Sequence, residues 1–125
     1  MITGIGTDLA EVHRIRQSVE RYGDRFLGRV YTAREVAYAM SKKNYAERLA
    51  GRFAAKEAGM KALGTGWRRG ITWKDFEVVN EPGGRPTLSL SGVAADIARR
   101  MGVERVSLSI THTSALAMAV VICES

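Results

Sequence analysis

The run from Asn44 to Gly64 limits the possible folds more than any other part of the chain. It centres on Gly51-Arg52-Phe53-Ala54-Ala55-Lys56-Glu57-Ala58-Gly59-Met60-Lys61-Ala62-Leu63 and leads into Gly64-Thr65-Gly66. It reads as one long helix. Asn44 suits the N-cap, Glu47 lies near the positive end of the dipole, and Gly64 is a natural stop. Phe53, Lys56, Met60 and Leu63 recur at helical spacing and should pack, with the Lys56 stem snorkelling to water. Glu57 and Lys61 stand one turn apart on one face, so a carboxylate and an ammonium project together just ahead of the loop. Two readings stay open. Glu57 could hold a hard cation while Lys61 meets a phosphate oxygen, or the two form a solvated pair contributing about 0.2–0.5 kcal/mol.

Charge bears on that choice. The chain carries a net charge of +6, and between Ser41 and Lys74 nine basic residues face only Glu47 and Glu57. Such a local positive field attracts phosphates, nucleic acids or an acidic protein.

At 125 residues the chain fits a single domain, residues 1–125, able to bury roughly two thirds of its unfolded surface without staples. The N-terminus lacks a basic start, and no stretch approaches the ~18 apolar residues of a membrane span, so no membrane partner and a cytoplasmic location are expected. The single Cys123 sits in the apolar run Ala119-Val120-Val121-Ile122, as a buried small hydrophobe in a reducing compartment.

Along the chain, Ile2 to Thr7 is a short β-branched segment broken by glycines, with Asp8 at its end. Val12, Ile15, Val19, Tyr22 and Phe26 follow as a helical apolar stripe, flanked by a basic edge of Arg14, Arg21 and Arg25. Gly23 interrupts that pattern ahead of Arg25. Thr32-Ala33-Arg34-Glu35 matches a capping box for a helix through Met40. Asp75 to Val79 and Thr87 to Leu90 form a hairpin around Asn80-Glu81-Pro82-Gly83-Gly84. Val93 to Met101 is a short helix closed by Gly102. Strands Arg105 to Thr111 and Leu116 to Cys123 follow, the second apolar on both faces and therefore central. The expected fold is α+β, a single domain with helices packed on an antiparallel sheet.

The polar candidates are Asp8, Glu57, Lys61 with Gly64-Thr65-Gly66, Arg85-Pro86 and His112-Thr113. Two carboxylates suit Mg²⁺, which keeps several waters and takes one or two carboxylates plus substrate phosphates. Asp8 equally fits an N-cap, and His112-Thr113 equally fits a turn. Gly4-Ile5-Gly6 is not a dinucleotide fingerprint, because the third glycine is missing.

Taken in order, Gly4-Ile5-Gly6-Thr7-Asp8-Leu9-Ala10-Glu11-Val12, Gly51-Arg52-Phe53-Ala54-Ala55-Lys56-Glu57 through Lys61-Ala62-Leu63-Gly64-Thr65-Gly66, Gly84-Arg85-Pro86 and Ser109-Ile110-Thr111-His112-Thr113 span essentially the whole chain. Together they closely resemble the holo-acyl-carrier-protein synthase family of 4'-phosphopantetheinyl transferases. The resemblance implies transfer of the phosphopantetheine arm of coenzyme A to a serine of an apo acyl carrier protein, in fatty acid biosynthesis. It implies Asp8 and Glu57 as Mg²⁺ ligands, Lys61 at the leaving phosphate, and a carboxylate or a metal-ordered water as acceptor of the serine proton, with Glu57 the better-placed candidate and the identity of the base left open. It puts Arg52, His112 and Thr113 around the 3'-phosphate of coenzyme A, with Gly64, Thr65, Arg85 and Pro86 lining the nucleotide. Arg14, Arg21 and Arg25, with Phe26 as apolar neighbour, would dock the acidic carrier, and a homotrimer is implied. The chain departs from common family forms at Ser114-Ala115-Leu116, where an aromatic residue often precedes the final strand.

Two other classes remain in view. A small basic nucleic-acid-binding module fits the sequence pI near 9.9, but Trp67 and Trp73 are the only aromatics in the basic loop region and no aromatic-basic alternation forms a stacking platform, so no nucleic-acid partner is expected. A different coenzyme A enzyme, such as an acyltransferase, would have no use for a metal pair.

Overall fold

A computed structural model describes residues 1–66 and 70–125. Trp67, Arg68 and Arg69, part of the basic run, lie outside the described residues. The elements are β1 (Ile2–Glu11), α1 (Val12–Tyr22), α2 (Asp24–Val30), α3 (Ala33–Met40), α4 (Tyr45–Leu63), a 3₁₀ turn (Trp73–Asp75), β2 (Phe76–Asn80), β3 (Pro86–Leu90), α5 (Gly92–Arg100), β4 (Arg105–His112) and β5 (Leu116–Glu124). The α+β expectation holds, but the strands divide into two antiparallel sheets, β1-β5-β4 and β2-β3. β5 is central, as its two apolar faces require.

The long helix α4 is the axis of the molecule and is covered on most sides. Small residues make this possible. Ala50, Ala54, Ala55, Ala58 and Ala62 are buried, while Gly51 and Gly59 admit Ile110 of β4 and the Phe76 ring of β2. A Cβ at Gly59 would lie 2.8 Å from that ring. Close approach is tightest against β1, where a side chain at Gly4 would overlap the Ala62 carbonyl and one at Gly6 the Ala58 carbonyl. The two glycines therefore serve strand-on-helix packing, which asks for no side chain at all.

Four expectations need correction. β1 does not stop at Thr7: it runs to Glu11, pairing along β5 from Ile5↔Ile122 to Glu11↔Leu116, because the apolar partner strand overrides the weak local propensity of a glycine-broken segment. Asp8 thus lies within the strand, opposite Ala119, and Glu11 occupies the N-cap position of α1. The first helical stripe breaks at Gly23 (φ 52°), so Arg25 and Phe26 belong to α2 rather than to the helix of Arg14 and Arg21. Asn44 precedes α4 but makes no side-chain cap; its Oδ1 instead accepts Arg48 Nε at 3.3 Å.

Lys56 does not snorkel. It is fully buried, with Nζ 2.7 Å from Glu35 Oε1 and donating to the carbonyls of Trp73 (3.3 Å) and Phe76 (2.5 Å). Glu35 is the capping-box residue of α3, accepting from Thr32 N at 2.9 Å, and its Oε2 takes Val78 N at 2.8 Å. One carboxylate thus caps a helix, pins a strand and neutralises a buried ammonium. Snorkelling fails because α3 and β2 close over the stem of Lys56 and supply acceptors where it ends.

Candidate active site

Alternation along β1 puts Gly4, Gly6 and Asp8 on the side that faces α4. The first two residues let the helix backbone touch the strand, and the third carries the first side chain beyond that contact. Lys61 projects to meet it, with Nζ donating to Asp8 Oδ1 and to the Thr7 carbonyl, each at 3.0 Å. One turn back on α4, Glu57 is partly buried and accepts Trp73 Nε1–H on Oε2 at 3.1 Å. Burial raises the pKa of its carboxyl, and the negative charge of Asp8 adds to the rise, while the indole hydrogen bond and Lys61 pull it back. Asp8, Glu57 and Lys61 therefore share one field: helical spacing aligned Glu57 with Lys61, and the fold brings Asp8 to them.

The donor chemistry fits a hard divalent cation. Two carboxylates share this field, one of them reluctant to ionise chiefly because it is buried and further because of the other's charge, and a cation offsets both. Among the described residues no cluster of three or more His, Cys, Asp or Glu is available to hold a metal. An ion here would complete its shell from water and substrate oxygens, which suits Mg²⁺.

A second cluster lies at the other end of α4. A cavity of about 150 Å³ is lined by Tyr38, Arg48, Arg52, Asn80, Pro86 and His112, among others. Arg52 is only 6% exposed. Its Nη2 donates to Asn80 Oδ1 at 2.7 Å, its guanidinium lies 4.4 Å from the centre of the Tyr38 ring, and its Nε has no partner among the described residues. Burial lowers its pKa, with Glu35 opposing the fall. No carboxylate within ion-pair distance neutralises it among the described residues, and a buried cation in that condition attracts an anion. Arg48 donates to Tyr38 Oη at 3.1 Å, and His112 Nδ1 lies 3.0 Å from Glu47 Oε1.

The remaining candidates divide. Pro86 lines this cavity, and Arg85 before it is exposed. Thr113 does not turn toward the cavity: its hydroxyl accepts from the Ala115 and Leu116 amides, both at 3.1 Å, and closes the β4–β5 hairpin. Gly64 ends α4 in the left-handed conformation (φ 73°), and the buried Thr65 returns its amide to the Met60 carbonyl at 3.2 Å. Arg52 and Glu57 are five positions apart, so their side chains point about 140° apart around the helix. No residue of the acid cluster lines the Arg52 cavity.

Between α1 and α2, a groove of about 510 Å³ is lined by Tyr22, Arg25, Phe26, Arg29 and Trp73 together with Ser18 and Val30. Arg25 and Phe26 meet there. Arg14 pairs with Glu11 at 3.4 Å and Arg21 lies over the Tyr22 ring, both outside the groove lining. Sequence reasoning missed Arg29, Tyr38, Arg48, Asn80 and the bond from Trp73. Arg48 stands four residues before Arg52, a spacing that could have flagged it. The others meet the site only through long-range packing. Nor is the basic run a continuous surface, since Arg52 and Lys56 are both buried.

The chain is similar to known proteins over nearly its whole length. Residues 4–121 match the model of the 4'-phosphopantetheinyl transferase superfamily. The holo-[acyl-carrier-protein] synthase of Solibacter usitatus is 62% identical over 125 residues, covering 100% of both chains. The crystal structure of the Neisseria meningitidis holo-[acyl-carrier-protein] synthase superposes with a TM-score of 0.90 at 33% identity, covering 100% of both chains. That of the Bacillus anthracis synthase, in complex with CoA (3',5'-ADP), does so with a TM-score of 0.82 at 38% identity, covering 100% of this chain and 98% of that one. The chain belongs to the 4'-phosphopantetheinyl transferase superfamily.

Proposed function

We propose that this chain, as one transferase domain over residues 1–125, moves the 4'-phosphopantetheine group of coenzyme A to a serine of an apo acyl carrier protein, in the service of fatty acid biosynthesis. The products are the holo carrier and adenosine 3',5'-bisphosphate. The observation that carries this reading is the cluster of Asp8, Glu57 and Lys61, joined across β1 and α4 with Lys61 Nζ 3.0 Å from Asp8 Oδ1.

Asp8 and Glu57 would hold Mg²⁺, which when bound supplies charge neutralisation on the pyrophosphate and polarises the phosphorus under attack. The serine oxygen bonds to the phosphorus bearing the pantetheine. The bond from that phosphorus to the bridging oxygen breaks, and the electron pair leaves with the nucleotide. Glu57, made more basic by burial and by Asp8, accepts the serine proton. Lys61 meets the departing phosphate oxygen and offers it a proton or a hydrogen bond. Arg52, whose Nε has no partner among the described residues, receives the 3'-phosphate together with Arg48 and His112. Pro86 and Arg85 flank the nucleotide, while Gly64 and Thr65 hold the loop that follows Lys61. Thr113 supports His112 by closing the hairpin. The acidic carrier docks on Arg14, Arg21, Arg25 and Phe26.

A homotrimer accords with the exposed face of the larger sheet. Ile5, Leu9, Leu116 and Met118 are 60%, 64%, 44% and 38% exposed, and Leu9 pairs with Met118 on that face. An apolar sheet face of this kind favours self-association. With the acid cluster and the Arg52 cavity turned to different sides of α4, a coenzyme reaching both kinds of group would bridge neighbouring copies. A cytoplasmic location belongs to the same reading, and no helix among the described residues is long and apolar enough to cross a membrane.

The test is to incubate the protein with coenzyme A, Mg²⁺ and an apo acyl carrier protein and to follow the mass of the carrier. A phosphopantetheine-sized gain that disappears with chelator and in Glu57→Gln is the expected result. No gain with any apo carrier, together with tight nucleic-acid binding, would replace this reading.

A further inference from the structure

Trp73 stands between the groove on α1–α2 and the carboxylate of Glu57. Its ring lines the groove with Tyr22, Arg25 and Phe26, the Arg29 guanidinium lies 5.8 Å from its centre, and Phe53 packs against it at 6.0 Å. Its Nε1–H reaches Glu57 Oε2 at 3.1 Å. The backbone behind the ring is held firmly. The Trp73 carbonyl accepts from the buried Lys56 at 3.3 Å. The 3₁₀ turn that Trp73 opens is tied by Asp75, which takes the Thr72 hydroxyl at 3.0 Å and the Ala94 amide at 3.2 Å. A ring fixed in this way cannot shift its N–H without disturbing the groove wall.

We propose that Trp73 is a positioning residue for the transfer reaction: one side chain that walls the docking groove and orients the Glu57 carboxylate, so that seating the acceptor and setting the carboxylate are one event. This rests on the transferase reading. The indole occupies Oε2 and so settles which way the carboxylate turns. Groups that orient a ligating carboxylate typically matter about 10- to 100-fold in metal affinity or activity.

Three variants separate the roles. Trp73→Phe keeps an aromatic wall and removes the N–H. β-(3-Benzothienyl)alanine at position 73 keeps the full shape and removes only the donor. Trp73→Ala removes both. Steady-state transfer to apo acyl carrier protein gives kcat and the carrier KM, Mn²⁺ binding followed by electron paramagnetic resonance reads the carboxylate pair without turnover, and circular dichroism verifies folding. In the Phe and benzothienyl proteins kcat falls and Mn²⁺ binding weakens, each by about 10-fold or more, with the carrier KM unchanged; in Trp73→Ala that KM rises too. Wild-type kcat and Mn²⁺ binding in the folded benzothienyl protein would overturn the proposal, as would a KM effect alone. If the wild-type protein modifies no apo carrier, the transferase reading falls first and this proposal with it.

Discussion

Two lysine–carboxylate pairs sit five residues apart on α4 and do opposite work. Lys56 and Glu35 lie 2.7 Å apart with both side chains fully buried, whereas Lys61 and Asp8 lie 3.0 Å apart with side chains 56% and 15% exposed. Around the first pair, backbone amides of Thr32 and Val78 and carbonyls of Trp73 and Phe76 use the remaining hydrogen-bonding capacity. Around the second, the Thr7 carbonyl is the further partner of Lys61 among the described residues. A buried, saturated pair holds three elements in register. An exposed, under-committed pair is free to exchange partners, as the proposed reaction requires. The difference lies in what covers the helix at each position: α3 and β2 over Lys56, the edge of β1 beside Lys61.

The largest effect should come from Lys56→Met. It leaves Glu35 buried without a counter-charge and should lower stability by about 3–5 kcal/mol in urea unfolding, and it also removes the bond to the Trp73 carbonyl, so stability rather than activity is the readout. A loss as small as that of a surface substitution would break the contrast. Lys61→Ala should do the reverse, changing stability by less than about 1 kcal/mol and lowering kcat by about 100-fold to 1000-fold. If it unfolds the protein, the second pair is structural as well. Arg52→Gln tests a third cation on the same helix, buried and without a carboxylate partner among the described residues. It should weaken coenzyme A binding by about 1.5–3 kcal/mol, leave binding of dephospho-coenzyme A unchanged, and cost little stability; calorimetry on both ligands decides.

The smallest effect on stability concerns Glu57, whose carboxyl pKa is raised chiefly by burial. The folded state then holds that proton more tightly than the unfolded chain, so the contribution is favourable at low pH and is lost as pH rises through the folded value. Glu57→Gln should therefore raise the urea midpoint slightly near neutrality while abolishing transfer. In metal-free wild type, carbon-detected titration should place this carboxyl above ordinary glutamates, and Mg²⁺ should bring it down. A normal value without metal would remove the sign on which this expectation rests.

Much of the fold could be read in the residues. The reach of α4 from Asn44 to Gly64, the capping box of Thr32 and Glu35, the β2–β3 hairpin and the central place of β5 all follow from local chemistry. The extent of β1 did not, because two glycines depress strand propensity and only pairing with β5 restores it. Gly23 was visible as an interruption, yet its consequence, Arg25 on a separate helix, depended on the left-handed turn taken there. Lys56 looked like a snorkelling residue because its partner Glu35 is remote in sequence and was already assigned as a cap. At the site, Glu57 and Lys61 declared themselves by helical spacing, and Asp8 joins them through strand alternation. Trp73, Tyr38 and Asn80 carry no such local signal, since packing alone brings them to their partners.

Gly4 and Gly6 set a mechanical property of the site. With no side chain between strand and helix, the span from Asp8 to Glu57 and Lys61 is gauged by peptide against peptide. Backbone units neither change rotamer nor compress. The spacing of the reactive groups therefore inherits the stiffness of main-chain contact. A single methyl at either glycine would act as a shim, tilting α4 and opening the gap between Asp8 and Lys61 without altering a single charged residue.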